Sequence, residues 1–365
     1  MQGAQIIVLA TPVFLALIAL EYLVGVRRGR NAYRLNDALS SIGLGIMSQL
    51  TGVFTTLMTV GIYSAVFASA ALWRLPADAW WVWIVGLVFY DLCYYWHHRF
   101  GHTVAFFWAG HVVHHQSEDY NLSTALRQTS GGWLLGWVFY LPMAVLGFPP
   151  LVFAVVALID LLYQYWVHTQ QIGKLGWFDR WFCAPSNHRV HHAVNDRYVD
   201  KNYGGIFIVW DRLFGSYAEE DDAEPCVYGT RKPLRSWNPL WANLEVYWAL
   251  AQDSWRTEAW ADKLRVWIRP PGWRPDDVAR SHPRAGFDIA AVQRWEPAAP
   301  RAALATAAAL FLALLGATAA FLWNAHRLPL AEQALGALAI VGGLWAVGWL
   351  STPRAAPRRV LPAGR

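Results

Sequence analysis

Charged residues and cysteines are both scarce in this sequence. Charged side chains make up 15% of the 365 residues, whereas a typical soluble domain has about 25%, so a soluble globular fold is disfavoured. The three cysteines, Cys93, Cys183 and Cys226, are odd in number and far apart, which predicts neither a disulfide framework nor a cysteine metal site. The sequence shows no basic stripe with a nucleic-acid-binding motif, so we expect no nucleic-acid partner.

Hydrophobic residues make up 56% of the chain and are concentrated in long runs. A helix needs roughly 20 consecutive apolar residues to span a bilayer. Two shorter runs, 131–148 and 150–167, are hinged at Pro149 and Pro150. The sequence therefore predicts an all-α integral membrane protein with several transmembrane helices. The main candidate spans are residues 5–26, 41–67, 79–96, 302–323 and 331–350.

Basic residues predict the orientation, because they concentrate on the cytoplasmic side of a membrane protein. The arginines of residues 27–34 follow the first run instead of preceding it, which indicates an anchored helix and not a secretory signal. With that segment in the cytoplasm, residues 73–78 form an external loop, and residues 97–130, 169–300 and 353–365 are cytoplasmic. The run pair around Pro149 either dips into the membrane or crosses it fully.

Ten of the twelve histidines lie between residues 97 and 192, and nine of them follow a repeated spacing. Imidazole is the commonest metal ligand near neutral pH. Nine ring nitrogens exceed what one ion binds, so the pattern predicts two metal ions with four or five ligands each and open positions. The nine are His98, His102, His111, His114, His115, His168, His188, His191 and His192.

The unit H-x-x-H-H occurs twice, at residues 111–115 and 188–192. On a helix its first histidine lies beside both the fourth and the fifth residue, so one box can serve both metals. Asp91 lies seven residues before His98 and eleven before His102, so the three residues share one face of a helix. Carboxylates commonly accept the second ring N–H of a metal-bound histidine, so we expect Asp91 to support the site in this way.

Three histidines are predicted to lie outside the metal site. His97 points about 100° away from its neighbour His98 on a helix, and His282 and His326 are isolated. All-nitrogen ligation suits iron, zinc, copper or nickel. Two ions with open positions beside a bilayer favour oxygen activation on a lipid and therefore iron, although the ligand type alone leaves zinc open.

The histidine boxes resemble those of the fatty acid hydroxylase/sterol desaturase superfamily of membrane di-iron oxygenases. Three neighbouring segments resemble the alkylglycerol monooxygenase branch of that superfamily. The resemblance covers about residues 80–220. The three segments are Ser-Glu-Asp-Tyr-Asn-Leu-Ser-Thr-Ala-Leu-Arg-Gln at 117–128, Asp-Lys-Asn-Tyr-Gly-Gly at 200–205 and Trp-Asp-Arg-Leu-Phe-Gly at 210–215.

This resemblance implies a reaction and its cofactors. The branch hydroxylates the alkyl carbon next to the ether oxygen of a glycerol lipid, and the product falls apart into a fatty aldehyde and a glycerol hydroxyl. It implies that the nine histidines bind two iron ions, with O2 as co-substrate and tetrahydrobiopterin or another electron donor as reductant. Glu118 matches an acidic position needed for activity, either catalytic or in contact with the pterin. Asn202 and Tyr203 would cap the site or form a structural turn.

The apolar runs, the histidine boxes and the local composition together suggest a domain organisation. Residues 1–78 would hold the N-terminal transmembrane helices and 79–235 the fatty acid hydroxylase-like catalytic domain. Residues 236–300 would be a Trp-rich interfacial region and linker, and 301–365 a C-terminal transmembrane hairpin with a basic tail. Residues 206–210 fit either a buried strand or a docked helix.

The tryptophans of residues 236–275 leave two interpretations open. Helical spacing places Trp241, Leu244 and Trp248 on one side, which fits a helix lying on the membrane surface. The rings would alternatively pack onto the histidine domain.

Two other functions fit parts of the pattern. One is a sterol desaturase or a fatty-acyl or other lipid hydroxylase with the same di-iron site. The other is a membrane metal-binding or transport protein, which is disfavoured because the ligands cluster at one face instead of following a path through the bilayer. A membrane lipid is the expected substrate, and the oligomeric state is not indicated.

Overall fold

The computed structural model describes residues 3–352, and in this part of the chain the regular elements are all helices, without a strand. Two isolated bridges join Phe182 to Phe207 and Ala193 to Tyr228. Short 3-10 helices cover Gly136–Tyr140, Ile289–Ala291 and Ala325–Arg327. The α-helices are α1 (Gly3–Arg27), α2 (Leu35–Ala70), α3 (Trp80–Thr103), α4 (Ala105–His115), α5 (Leu122–Ala125), α6 (Leu141–Val145), α7 (Pro150–Trp166), α8 (Phe178–Trp181), α9 (Pro185–His191), α10 (Val209–Leu213), α11 (Pro239–Arg256), α12 (Trp260–Ile268), α13 (Asp276–Ser281), α14 (Arg301–Asn324) and α15 (Leu330–Ser351).

Four of these helices, α1, α2, α14 and α15, are long and apolar enough to cross a membrane. They pack together around a core that includes Leu50, Phe311 and Leu344. Their outer faces leave large apolar side chains such as Leu57 and Leu338 exposed, as expected where lipid covers the surface. The prediction of an all-α membrane protein is confirmed.

Three of the predicted runs differ from this group of spans. Run 79–96 forms the first part of α3, but its tryptophans, tyrosines and Asp91 make it less apolar, and the helix continues to Thr103. Run 131–148 is broken into the 3-10 helix Gly136–Tyr140 and the short helix α6. Helix α7 has 17 residues, at the lower limit for a span.

Helices α3 and α7 run side by side and end at the histidine boxes. At the far end, Leu72 N–H donates to the carbonyl of Val145. Gly147 has a φ of 92°, and a Cβ there would lie 2.0 Å from the carbonyl oxygen of Trp73, so only glycine permits this close approach.

At the near end, Arg34 Nε donates to Asp119 at 2.8 Å and Arg28 donates to the carbonyl of Gln171. The basic loop between α1 and α2 and the histidine boxes therefore share one end of the molecule. The predicted cytoplasmic tail, residues 353–365, lies outside the described residues.

The Trp-rich region divides between the two expected arrangements. Helix α11 begins at Asn238, whose side chain caps it by accepting from Leu240 N–H and Trp241 N–H. Trp237 is buried and Trp267 packs in a core cluster with α4. The opposite surface exposes apolar side chains: Trp241, Leu244, Trp248 and Trp255 on α11, and Trp260, Leu264 and Ile268 on α12.

The segment 206–210, left open between strand and helix, forms no strand and ends in a short helix. Phe207 makes one isolated bridge with Phe182, and α10 begins at Val209. A single bridge pair is too short to make a strand.

Candidate metal centre

The structure brings the nine spaced histidines together in two adjacent groups. Within each group, one ligand atom from every histidine lies within 4.8 Å of all the others. The rings of His115 and His192 connect the groups, with centroids 4.3 Å apart. The five-histidine cluster is His98, His102, His111, His115 and His191; the four-histidine cluster is His114, His168, His188 and His192.

Each H-x-x-H-H box divides between the clusters, as helical geometry predicts. In the first box, His111 and His115 enter the five-histidine cluster, whereas His114 enters the other. In the second box, His191 enters the five-histidine cluster, whereas His188 and His192 enter the four-histidine cluster. Successive positions on a helix point about 100° apart, so a single turn supplies both groups.

The nitrogen spacing within each cluster fits ligands of one ion. Two bonds of about 2.1 Å meeting at about 90° place their nitrogens about 3.0 Å apart. Nε2 atoms lie 3.0 Å apart in His111 and His115 and 3.1 Å apart in His114 and His168. In addition, Nε2 of His102 and of His191 are buried and make no hydrogen bond with any of the described residues. The clusters therefore fit metal ions.

Backbone carbonyl groups orient four of the rings from behind. Because each carbonyl accepts the Nδ1–H, the lone pair of Nε2 is left facing the cluster. The Nδ1–carbonyl pairs are His98 with Tyr203 at 2.8 Å, His114 with Arg127 at 2.9 Å, His168 with Gln164 at 2.8 Å and His191 with Lys201 at 3.0 Å.

Burial makes these imidazoles neutral, which is the form that binds metal. Loss of water around the rings, followed by repulsion from neighbouring histidines, holds the pKa of His111 and of His188 well below 6.5. Burial lowers the pKa of His114 to about 4.

The Asp200–Gly205 loop covers the five-histidine cluster. Asp200 and Asn202 have φ angles of 57° and 58°, a conformation that Asp and Asn tolerate. Asn202 is fully buried, and its amide donates to the carbonyls of Asn187 and Ala218, so it forms a structural turn. The ring of Tyr203 lies 5.3 Å from that of His102 and closes the cluster.

Asp91 has a different role from the one expected, because its carboxylate contacts backbone and indole N–H groups instead of a histidine ring. Gly205 makes this approach possible, since a Cβ there would lie 2.7 Å from Asp91 Oδ1. Asp91 therefore fastens the loop that carries the carbonyl partner of His98. The donors are Ile206 N–H at 2.6 Å, Phe207 N–H at 3.0 Å and Trp210 Nε1 at 2.8 Å.

Glu118 lies in a charged network beside the second box and belongs to neither cluster. Its carboxylate accepts the Trp295 N–H at 2.6 Å and lies 3.9 Å from Arg34. Burial raises its pKa. The adjacent Asp119 pairs with Arg34 and Arg294, so this network ties α2 and the segment before α14 to the site.

Sequence reasoning missed two residues that support the four-histidine cluster. Tyr120 stacks on His168 with centroids 5.6 Å apart, and its hydroxyl donates to the carbonyl of Val167. Arg127 is buried, and its Nε donates to the carbonyl of Val113. Their only sequence signal is their place in the 117–128 segment.

The three excluded histidines lie outside both clusters. His282 and His326 are exposed. His97 lines a cavity of about 80 Å³ that also reaches His98 and His111. Aromatic, leucine and glycine residues form most of the remaining wall, including Phe106, Phe107, Leu134 and Gly132.

Residues 83–216 match the family model described as Fatty acid hydroxylase. The matched segment contains all nine clustered histidines, and the match confirms the predicted resemblance to that superfamily. No solved structure matches the chain.

The chain is also similar to named lipid enzymes. Alkylglycerol monooxygenase of Homo sapiens is 40% identical over 267 residues, 73% of this chain and 59% of that protein. The Danio rerio alkylglycerol monooxygenase is 40% identical over 283 residues, 77% and 61% of the two chains. Ornithine lipid hydroxylase OlsE of Rhizobium tropici is 28% identical over 147 residues, 37% and 41%. This chain thus spans about three fifths of the length of the two alkylglycerol monooxygenases.

Proposed function

We propose that this protein is a membrane di-iron monooxygenase that hydroxylates the alkyl carbon next to the ether oxygen of alkylglycerol-type lipids. The observation that carries the proposal is the pair of histidine clusters, built from shared boxes in a fatty acid hydroxylase domain. The similarity to alkylglycerol monooxygenases, at 40% identity, supports the substrate class.

The reaction balances with O2 and an external two-electron reductant such as a tetrahydropterin. One C–H bond of the lipid breaks and one C–O bond forms with one atom of O2. The other oxygen atom leaves as water, with two electrons from the reductant and two protons. The hydroxylated carbon then bears two oxygens, and this hemiacetal splits into a fatty aldehyde and a glycerol hydroxyl.

Bound iron would supply the activation of O2, and the nine histidines are the residues that would hold it. The protein's own contribution is to shield the imidazoles from water and to orient four of them through backbone carbonyl groups. Carbonyls such as that of Tyr203 fix the ring orientation. The rings of Tyr203 and Tyr120 cover the clusters and exclude water.

The acidic residues act from outside the two clusters. Asp91 positions the loop behind His98, and Glu118 holds the network around Arg34. Because Glu118 is only 17% exposed, a polar reductant that docks there would meet a carboxyl group whose charge is poorly solvated. We therefore include Glu118 in the proposed contact surface for the pterin.

The active site is proposed to face the cytoplasm. The basic 27–34 loop lies at the same end as the histidine boxes, as the contact of Arg34 with Asp119 indicates, and basic loops are typically cytoplasmic. Alkylation of Asp196→Cys, at an exposed position, by a membrane-impermeant maleimide tests this side in a variant whose three native cysteines are replaced by serine. Labelling only after the membrane is opened is expected, and labelling of intact cells would contradict the orientation.

The exposed face of α11 and α12 is proposed to lie in the headgroup zone, where tryptophan is enriched. Helix α11 begins beside the end of α15, since a Cβ on Gly348 would lie 2.4 Å from the carbonyl oxygen of Trp237. A nitroxide on Trp248→Cys should collide more often with O2 than with a polar nickel complex. The same label on Asp196→Cys should show the opposite preference.

A second candidate is hydroxylation of another membrane lipid by the same centre. The similarity to an ornithine lipid hydroxylase favours it. The apolar cavity wall does not by itself require a glycerol headgroup.

A lipid panel tests the main proposal against this alternative. Purified iron-loaded protein is incubated with alkylglycerol, acylglycerol, ornithine lipid and sterol under O2, with and without tetrahydropterin. Aldehyde formed from alkylglycerol only when the pterin is present is the expected result. Product from sterol or ornithine lipid alone would contradict the ether-lipid assignment.

A further inference from the structure

The cavity beside the five-histidine cluster contains two polar atoms without a protein partner. His97 Nδ1 lies 3.3 Å from the hydroxyl of Tyr140, and its Nε2 makes no hydrogen bond within residues 3–352. Tyr247 also lines the cavity, and its hydroxyl has no hydrogen-bond partner in the same range. The other hydroxyls of the wall are engaged: Tyr94 donates to Gln164, and Thr129 accepts from a backbone N–H.

Glycines make room for both polar groups. The Tyr247 hydroxyl lies 3.2 Å and 3.3 Å from the positions that a Cβ would take on Gly110 and Gly131. His97 Nε2 lies 3.0 Å from the corresponding position on Gly136. Side chains at these three places would push the two polar groups out of position, so the glycines preserve both the cavity and its polar atoms.

The size of the cavity restricts what can occupy it. A water molecule needs roughly 10–15 Å³ of such volume, so about 80 Å³ accommodates a small group of atoms and not a whole lipid. A ligand that displaces water from an otherwise apolar wall must provide hydrogen-bond partners for the two polar atoms, or those hydrogen bonds are lost. The structure therefore favours the oxygen-bearing end of an amphiphile.

We infer that His97 and Tyr247 are positioning residues that hold the ether oxygen and a free hydroxyl of the lipid beside His98 and His111. Tyr247 donates its O–H to the ether oxygen. His97, with Nδ1–H donated to Tyr140, accepts a lipid hydroxyl at Nε2. This assignment rests on the proposed function, because the ether lipid is the substrate proposed there.

Equilibrium binding separates this role from catalysis. Iron-loaded protein in detergent micelles is titrated without O2, so no turnover occurs, with hexadecylglycerol, its di-O-methyl ether and hexadecane. One neutral hydrogen bond corresponds to about a 2- to 12-fold change in Kd. Tyr247→Phe should weaken the binding of both ether lipids by this factor and leave the binding of hexadecane unchanged. His97→Phe should weaken only hexadecylglycerol, because the methylated lipid has no hydroxyl to donate.

Matched variants distinguish a hydrogen bond from a loss of shape. His97→Gln retains a polar amide and should recover part of the affinity lost in His97→Phe. Gly136→Ala crowds His97 and should weaken the binding of hexadecylglycerol. Gly316→Ala, in α14 with nothing within 4 Å of the added Cβ, should leave that binding unchanged. Tyr22→Phe and His326→Phe, at exposed positions away from the cavity, are the background controls. Unchanged iron content verifies that each variant is folded.

Two results would overturn the inference. One is wild-type affinity for hexadecylglycerol in both Tyr247→Phe and His97→Phe. The other is an equal loss for hexadecane, which would mean that the residues act through cavity shape alone. If wild-type protein releases no aldehyde under O2 but the binding pattern holds, the proposed reaction fails while the positioning role stands.

Discussion

The two histidine clusters are supplied by the same boxes but lie in different surroundings. All four members of the four-histidine cluster are buried, and Tyr120 stacks against it. The five-histidine cluster includes the half-buried His111, and two of its members line the cavity beside α4.

This difference suggests a division of labour. A metal ion in the five-histidine cluster would be open to a lipid from the cavity side, whereas one in the four-histidine cluster would be enclosed by protein. We expect the lipid to react at the five-histidine cluster, with the four-histidine cluster sharing in electron supply. The following variants test that asymmetry.

The largest loss of activity is expected when one histidine ligand is removed from either cluster. His111→Ala and His114→Ala change two residues on the same turn of α4, one from each cluster. Each should lower activity by more than about 100-fold and remove one of two irons per chain, measured by metal analysis. His326→Ala is the control. Full activity in His114→Ala would mean that the four-histidine cluster is dispensable.

Filling the cavity should impair the positioning of the lipid beside the five-histidine cluster and leave the four-histidine cluster unchanged. Gly132→Leu adds an apolar side chain to the cavity wall and should reduce kcat/KM by about 10-fold or more, since a misplaced substrate loses its reactive geometry. Tyr120→Phe, on the enclosed side, removes only the hydrogen bond to Val167 and should cost a few-fold. Equal losses with unchanged iron content would argue against the asymmetry.

The support behind His102 offers a milder test. Asp200 Oδ1 lies 3.5 Å from His102 Nδ1, an ion-pair contact made by an exposed carboxylate. Partners hydrogen-bonded to a metal-binding histidine contribute about 10- to 100-fold to metal affinity, so this longer contact should contribute at the lower end of that range. Asp200→Asn keeps the left-handed backbone but loses the charge, so about a 10-fold weaker iron affinity at one site is expected. The control Asp222→Asn, on an exposed loop, should leave the iron affinity unchanged. Competition with a chelator measures the affinity of both variants.

The smallest predicted effect is a change of stability with pH in metal-free protein. The folded pKa of His114, about 4, lies below the ordinary value of about 6.5. The unfolded chain therefore binds more protons, and stability falls as pH decreases from about 6.5 towards 4. Thermal unfolding at pH 7 and pH 5 should show a lower Tm at pH 5 for wild type, and a smaller change for His114→Phe. An unchanged Tm would contradict the neutral buried imidazoles.

The histidine site was the most predictable part of the molecule. Helix geometry alone assigns His111 and His115 to one cluster and His114 to the other, because all three ligands lie within about one turn of a single helix. Asp91 was harder, because its partners Ile206 and Trp210 are more than 110 residues away. Long-range backbone donors leave no local pattern in the sequence.

Membrane placement was predictable only in part, for a physical reason. Hydropathy identifies α1, α2, α14 and α15, whose exposed side chains are mostly apolar. Helix α3 packs against protein and carries both membrane-type and site residues, so its sequence mixes the two signals. The tryptophans of α11 and α12 likewise divide between packed and exposed positions, since aromatic rings suit both.

A single-turnover experiment tests the two-iron account most directly. Iron-loaded protein is reduced, freed of excess reductant and exposed to O2 with hexadecylglycerol, and aldehyde and iron are counted in the same sample. Since hydroxylation needs two electrons beyond those of the lipid, the predicted yield is one aldehyde for every two irons. No aldehyde from fully loaded protein, or one aldehyde for each iron, would contradict a shared two-metal centre acting on ether lipids.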